Sequence, residues 1–271
     1  MPRRKGLKRS TPHKVAHRLA AASHPLIKAA LGAALAASCQ IPVSSHADQG
    51  ESECCAEHSA VGCCAIHKPG IGSPLCLASC TYGDVRAELT PPGDTLPTLS
   101  DTGAELQTVS DALRKWGLAP MGTQIAGRNG WSDVPDDVPG VPFPEPDVSQ
   151  LEVAGHTLVS GEYAIAVDSN APQTVAACIS AGIPVWLGCF VDSAFEALTA
   201  GQVAQPPNAS DPNGGGHAMY ISGYRTAADG SLEFRVENSW GSNWCDGGGC
   251  WASTAWLLAC WELWPFPAVT T

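Results

Sequence analysis

Cysteine is the residue here best suited to nucleophilic chemistry. Twelve occur, at positions 39, 54, 55, 63, 64, 76, 80, 178, 189, 245, 250 and 260. A thiol attacks as its thiolate, which needs an electropositive, partly exposed setting such as a helix N-terminus beside a histidine. Cys55 meets the first condition. The segment from Cys55 to about His67 is rich in Ala and Cys, lacks Gly until Gly62 and stops before Pro69-Gly70, the pattern of a helix. Its dipole favours an anion at the Cys55 end. Taken singly, the candidates are bland: Cys55 a small buried residue, His217 a loop histidine beside a glycine run, Asn238 a turn former.

Their flanking residues carry more. Asp48-Gln49-Gly50-Glu51-Ser52-Glu53-Cys54-Cys55-Ala56-Glu57-His58-Ser59-Ala60-Val61 places a Gln-Gly pair ahead of the cysteine, with Gln six residues upstream, and a Ser-Ala after it. Gly214-Gly215-Gly216-His217-Ala218-Met219-Tyr220-Ile221-Ser222-Gly223-Tyr224 is a strand-like block ending in Gly-Tyr. Val236-Glu237-Asn238-Ser239-Trp240-Gly241 is the third block. Together the three resemble the papain family of cysteine peptidases in type, flanks and order. His217 and Asn238 lie 162 and 183 residues beyond Cys55, somewhat farther than the roughly 130–150 of type members. The proline-rich stretch 130–147 absorbs part of that difference.

The resemblance implies an α+β fold of two lobes, helical then antiparallel β, with the site in the cleft between them. It implies hydrolysis of a peptide or protein substrate without a cofactor: Cys55 as nucleophile, His217 as general base, and Asn238 orienting the imidazole. The Gln49 side chain and the Cys55 amide would form the oxyanion hole, and Trp240 would shield the His217–Asn238 bond. The alternatives are an inactive papain-fold protein that binds peptides or partners, and a transpeptidase or amidase on the same residues. His58, one turn past Cys54, offers a second Cys-His pairing.

Four positions depart from the family pattern. Ala56 stands where an aromatic residue usually follows the nucleophile, and Ser52 where a disulfide cysteine usually precedes it. No Gly-Gly substrate-binding segment is recognisable in the first lobe. Cys245-Asp246-Gly247-Gly248-Gly249-Cys250 replaces the usual continuation after the Asn block, and its cysteines suit a local disulfide or part of a metal site. Four metal ligands cannot be named, so no metal is expected. Only 54 residues precede Cys55, fewer than the family's inhibitory prodomains contain, which makes the basic N-terminal arm the candidate for control.

The charges are segregated. Of 15 basic residues, eight lie between Arg3 and Lys28, and the 243 residues that follow carry 7 basic and 26 acidic side chains. An acidic body argues against nucleic-acid binding through the folded domain. Arg3-Arg4-Lys5 followed by the apolar Leu26–Ala37 faintly resembles an export signal, but Lys28 interrupts the run, and a flexible basic arm is the expectation for residues 1–46. No membrane span is expected. The cysteines read mostly as buried apolar residues, which favours the cytoplasm slightly over secretion, and a monomer is expected.

The elements that must position these residues follow from pattern. Helices are expected at Cys55–His67, at about Pro74–Leu89, and from Asp101 or Thr102 to Trp116, where Gly117 closes the last. These make a helical lobe over 47–129. A β lobe over 148–271 holds a short helix Pro172–Ala181 and strands Ile183–Val191, His217–Tyr224 and Leu232–Asn238, the last two joined by a turn at Ala228-Asp229-Gly230.

Overall fold

A computed structural model describes residues 5–9, 19–44, 46–69, 72, 74–118, 158–159, 163–267 and 269–270. In chain order its elements begin with β1 (Leu7–Lys8), β2 (Leu19–Ala20), α1 (Pro25–Leu31), β3 (Ser38–Gln40), α2 (Cys55–His67), α3 (Pro74–Leu89), β4 (Ala104–Glu105) and α4 (Leu106–Trp116). There follow β5 (Leu158–Val159), β6 (Tyr163–Ala164), α5 (Ala171–Ser180), β7 (Val185–Val191), α6 (Ser193–Glu196), β8 (Val203–Ala204) and β9 (Gly215–Thr226). The chain closes with β10 (Leu232–Glu237), β11 (Gly249–Ser253), α7 (Thr254–Leu257), β12 (Glu262–Pro265) and β13 (Val269–Thr270).

The long strand β9 is the axis. β12, β7, β9, β10, β11 and β8 lie side by side in that order, and β3 also pairs with β9. Along one edge β7 takes Gly215 to Ile221 and β3 continues with Gly223 to Arg225. All these pairings are antiparallel except β11 with β8. Because side chains alternate across a strand, β9 feeds two cores. Ala218 and Tyr220 join Cys55, Trp186 and Leu106 on one face, while Met219 and Ile221 join Val185, Leu187 and Trp240 on the other. A sheet covered on both faces explains why β7 reads as an unbroken apolar run.

Helix α2 is buried nearly all round, with Cys55 to Val61, Cys63 and Cys64 all inside. Its small residues permit a close approach to the sheet. A Cβ on Gly62 would overlap the buried ring of Tyr220, and Trp186 on β7 donates its indole N–H to Ser59 at 2.8 Å. Helix α4 buries one broad face, led by Leu106, Val109, Ala112 and Leu113 and including Gln107 and Ser110, and Gly117 ends it at φ 73°. Asp84 ties α3 to α4 by accepting from Lys115 at 2.6 Å and from the Trp116 indole at 2.8 Å.

Three expectations need correction. The third helix starts at Leu106 rather than near Asp101, because Ala104 and Glu105 are extended to pair in parallel with Leu7 and Lys8. The stretch expected as a flexible arm contributes β1, α1 and β3 over its described residues, and Ile27 of α1 is fully buried in the second core. Cys245 and Cys250 are free thiols rather than a disulfide. The proline-rich stretch 130–147, Arg3, Arg4, Arg18, His13, His17 and His156 lie outside the described residues. Among the described residues no helix is long and apolar enough to cross a membrane.

If close packing of α2 on β9 sets the fold, Gly62→Val should cost about 1–3 kcal/mol through overpacking against Tyr220. A lowered urea midpoint at unchanged slope would show it, and an unchanged midpoint would mean the interface is loose.

Candidate active site

Cys55 is the first residue of α2, and its side chain is wholly enclosed. The packing of α2 on β9 sets its sulfur against the backbone amide of Ala218, the residue after His217. The amides of Gly6 and Ala56 also reach it. Burial pushes this thiol up to about 12, while those three amides pull the other way.

His217, near the start of β9, is equally enclosed. Its Nε2 lies 2.8 Å from Oδ1 of Asn238. An amide oxygen only accepts, so Nε2 carries the proton and Nδ1 is the bare nitrogen. Nδ1 is buried and has no hydrogen-bond partner among the described residues. The imidazole stacks on Trp240, ring centres 4.7 Å apart at 26°. Burial pushes His217 down to about 4, the Asn238 bond opposes this, and the cations of Lys5 and His58 reinforce it.

Asn238 sits just past β10, where its Oδ1 also accepts the Ser239 amide at 2.8 Å. Gln49 reaches the same corner from the other side of the sequence. Its Oε1 accepts from the Ser239 hydroxyl at 2.6 Å, its amide N–H donates to Ser239 O at 2.8 Å, and its Nε2 donates to Ser52 O at 2.7 Å. Asp48 bridges Trp240, and the Gly241 amide donates to Ala47 at 3.0 Å. The structure thus joins Gln49, Asn238, His217 and Trp240 through a chain of contacts by way of Ser239, and Cys55 meets that set at the backbone of Ala218, the residue after His217.

Among the described residues no hydrogen bond joins Cys55 to His217 Nδ1, whereas the rival cysteine and histidine are in contact. Cys54 Sγ lies 3.4 Å from His58 Nδ1 and 2.7 Å from the Ser52 hydroxyl. Yet the same Nδ1 is 2.9 Å from Cys54 O, a carbonyl that can only accept, so this nitrogen is protonated and cannot take the thiol proton. Burial and the carboxylates of Glu57 and Asp101 push the Cys54 thiol well up. The Asp101 carboxylate opposes a thiolate there, joined by Glu57 once that group ionises above about 8.

Sequence reasoning missed two sets of residues. His46 and Glu237 form a pair at 2.6 Å beside Asn238, and Glu237 is bonded further by Ser222 and Arg235. Burial pushes the Glu237 carboxyl up, but His46, Arg235 and Ser222 outweigh it and hold the group below the ordinary value. The other set is Lys5 to Lys8, laid along Gly103-Ala104. There the Ala104 amide donates to Gly6 O at 3.0 Å, and a Cβ on Gly103, at φ 65°, would overlap that oxygen. Gly103-Ala104 thus offers a strand edge, here buried and paired with Gly6 to Lys8, that a search for Gly-Gly does not find. Among the described residues no cluster of three or more metal-ligating side chains occurs.

No family model and no curated protein sequence matches the chain. Solved structures do. Xylellain, a cysteine protease from Xylella fastidiosa, superposes with a TM-score of 0.72 at 19% identity, over 100% of this chain and 99% of that one. Procathepsin B S9 from Trypanosoma congolense gives 0.70 at 13% identity, over 100% and 88%. Bromelain from Ananas comosus, solved with the E64 inhibitor, gives 0.58 at 16% identity, over 85% and 99%. The chain therefore has the papain-like α+β fold.

Beneath the site, burial, with the carboxylate of Asp101 nearby, pushes Glu57 up to about 8 from the ordinary 4.5. The folded chain holds this proton where the unfolded chain has released it. The stability it confers is fully present below 4.5 and is lost as pH rises through about 8. His217 acts in the opposite sense between about 4 and 6.5, so the comparison belongs above that window. Urea midpoints should fall from about pH 6.5 to 8.5, and Glu57→Gln should flatten the slope. Equal slopes in the two proteins would remove Glu57 as its cause.

Proposed function

We propose that this chain is a cysteine-type peptidase that cleaves peptide or protein substrates through a thioester. One observation carries the reading. The buried imidazole of His217 is oriented by Asn238 with its bare nitrogen unpartnered among the described residues, while the amide next in sequence touches the Cys55 sulfur. A base in its accepting tautomer beside a helix-start thiol is the arrangement that activates a sulfur nucleophile.

The steps follow from these groups. His217 Nδ1 accepts the Cys55 proton, and the thiolate adds to the substrate carbonyl. The oxyanion is held by the backbone N–H of Cys55 and by the second N–H of the Gln49 amide, whose first is spent on Ser52. The amine leaves with the proton from His217, and water, deprotonated by the same imidazole, hydrolyses the thioester. Asn238 keeps the ring in place throughout, and Trp240 covers the Nε2–Oδ1 bond with its indole face. The chemistry needs no cofactor.

Treating the reduced, full-length chain near pH 6 with a peptidyl epoxide should alkylate Cys55 alone, as mapped by mass spectrometry. The label should vanish in His217→Ala. Gln49→Ala should lower kcat by roughly 10²–10³. Labelling at Cys54 would move the nucleophile to the His58 pair. No labelling of this chain or of Lys5→Gln, in which the segment over the site loses its anchor on Glu196, would leave a papain-fold protein that binds peptides without cutting them, and acyl transfer to an added amine in place of water would make it a transpeptidase.

A further inference from the structure

Lys5 to Lys8 lie across the site as an extended peptide. The Gly6 amide reaches the Cys55 sulfur and the Gly6 carbonyl is taken by Ala104. Leu7, almost fully buried, rests over Gly188 beside Leu106. Lys5 runs the other way. Its stem crosses Gly215, where a Cβ would stand 3.2 Å from it, and its ammonium pairs with Glu196 and donates to Asn213 O at 2.6 Å. The Lys5 side chain is 5% exposed and that of Glu196 17%. An ammonium so enclosed is tolerated only where its charge and its donors are met.

The acceptor is built rather than incidental. Asp192 caps the short helix α6 by accepting the Phe195 amide at 2.9 Å, and the Glu196 carbonyl accepts the Trp244 indole N–H at 3.1 Å. Trp244 packs edge-on against Trp240 at 5.2 Å, and Trp240 carries the His217 ring. The aromatic stack that seats the imidazole therefore also fixes the backbone of Glu196. Asp211, whose carboxylate is held down chiefly by the Ser193 amide and hydroxyl and the Asn213 amide, and least by the Lys5 cation, adds negative potential to the same loop.

We infer that Glu196 and the Asn213 carbonyl form a subsite that selects a lysine or arginine side chain of the peptide substrate, one residue from the one lying at Cys55. Lys5 is its occupant in the resting chain. The inference rests on the peptidase reading. The occupant escapes cleavage because its Gly6 carbonyl is bonded to Ala104 and not turned to the oxyanion donors. A substrate must displace it, so the segment and a lysine peptide compete for the same carboxylate.

The full-length chain carrying Lys5→Gln, alone and with Glu196→Gln, separates the possibilities. A degenerate peptide library, with products read by mass spectrometry, should show lysine or arginine enriched at one position within two residues of the scissile bond. The enrichment should be about tenfold over glutamine with Lys5→Gln alone, and should fall to about twofold or less once Glu196→Gln is added. Cleavage without such enrichment, or enrichment that survives Glu196→Gln, would overturn the subsite while leaving the peptidase. If nothing is cut, hydrolysis is the reading that fails. The subsite is then judged by fluorescence polarisation of labelled Lys-Gly-Leu-Lys against Gln-Gly-Leu-Lys. About tenfold tighter binding of the first, dependent on Glu196, supports it, and equal binding overturns it.

Discussion

The site exists because a helix made of small residues can lie directly on the central strand. Cys55 and His217 are 162 residues apart in the chain, and no local preference could join them. Gly62 lets the Tyr220 ring sit against the helix axis, and Ser59 gives the Trp186 indole its acceptor. With that interface closed, the first turn of α2 has one place to go, and its leading sulfur meets the Ala218 amide. The helix dipole and the backbone amides then act on one atom. A larger residue at any of these contacts would move the nucleophile before it disturbed the fold, since packed interiors transmit small volume changes.

A second constraint holds the other wall. The chain at 46–52 and the chain at 237–241 are joined by side-chain and backbone bonds: His46 to Glu237, Gly241 to Ala47, and Gln49 to Ser239 twice. Glu237 precedes Asn238, so its buried bonds with His46, Ser222 and Arg235 hold the residue that holds the imidazole. Such a network is costly if partly satisfied and rigid if complete. It also ties Gln49, an oxyanion donor in the proposed mechanism, to the loop that carries the orienting amide, so the two sides of the reaction cannot drift independently.

Much of this was legible in the sequence, for reasons that differ by element. Helices α2 and α3 have the expected bounds because glycine, proline and composition mark their ends within the segment itself. β7 was readable because an apolar run of that length needs cover on both faces. The start of α4 was not, since Ala104 and Glu105 are held extended by Leu7, almost a hundred residues earlier, and local periodicity carries no trace of a distant partner. The N-terminal stretch was read through its charge, which says nothing of where Ile27 or Leu7 is buried. Glu196 gave no signal at all: its setting depends on an indole 48 residues later. The three motif blocks were visible, but their relation to Gly103-Ala104 was hidden by the missing second glycine.

The electrostatics of the enclosed site bear on how it could work. With Lys5 to Lys8 in place, the thiol stands at about 12 and the imidazole at about 4, so the pair is neutral. Burial is the largest cause of both shifts, and it acts by penalising each charged form. The Lys5 ammonium adds to the cost on His217, because an imidazolium would form beside a second cation. Withdrawing the segment would rehydrate both groups and remove that cation. The two values would move toward each other, and the proton would need less work to pass from sulfur to nitrogen. One short peptide would then govern both entry to the cleft and the charge state of the groups within it. The carboxylate that binds its lysine would link these effects, since a substrate cation that takes Glu196 also evicts the charge that suppresses the imidazolium.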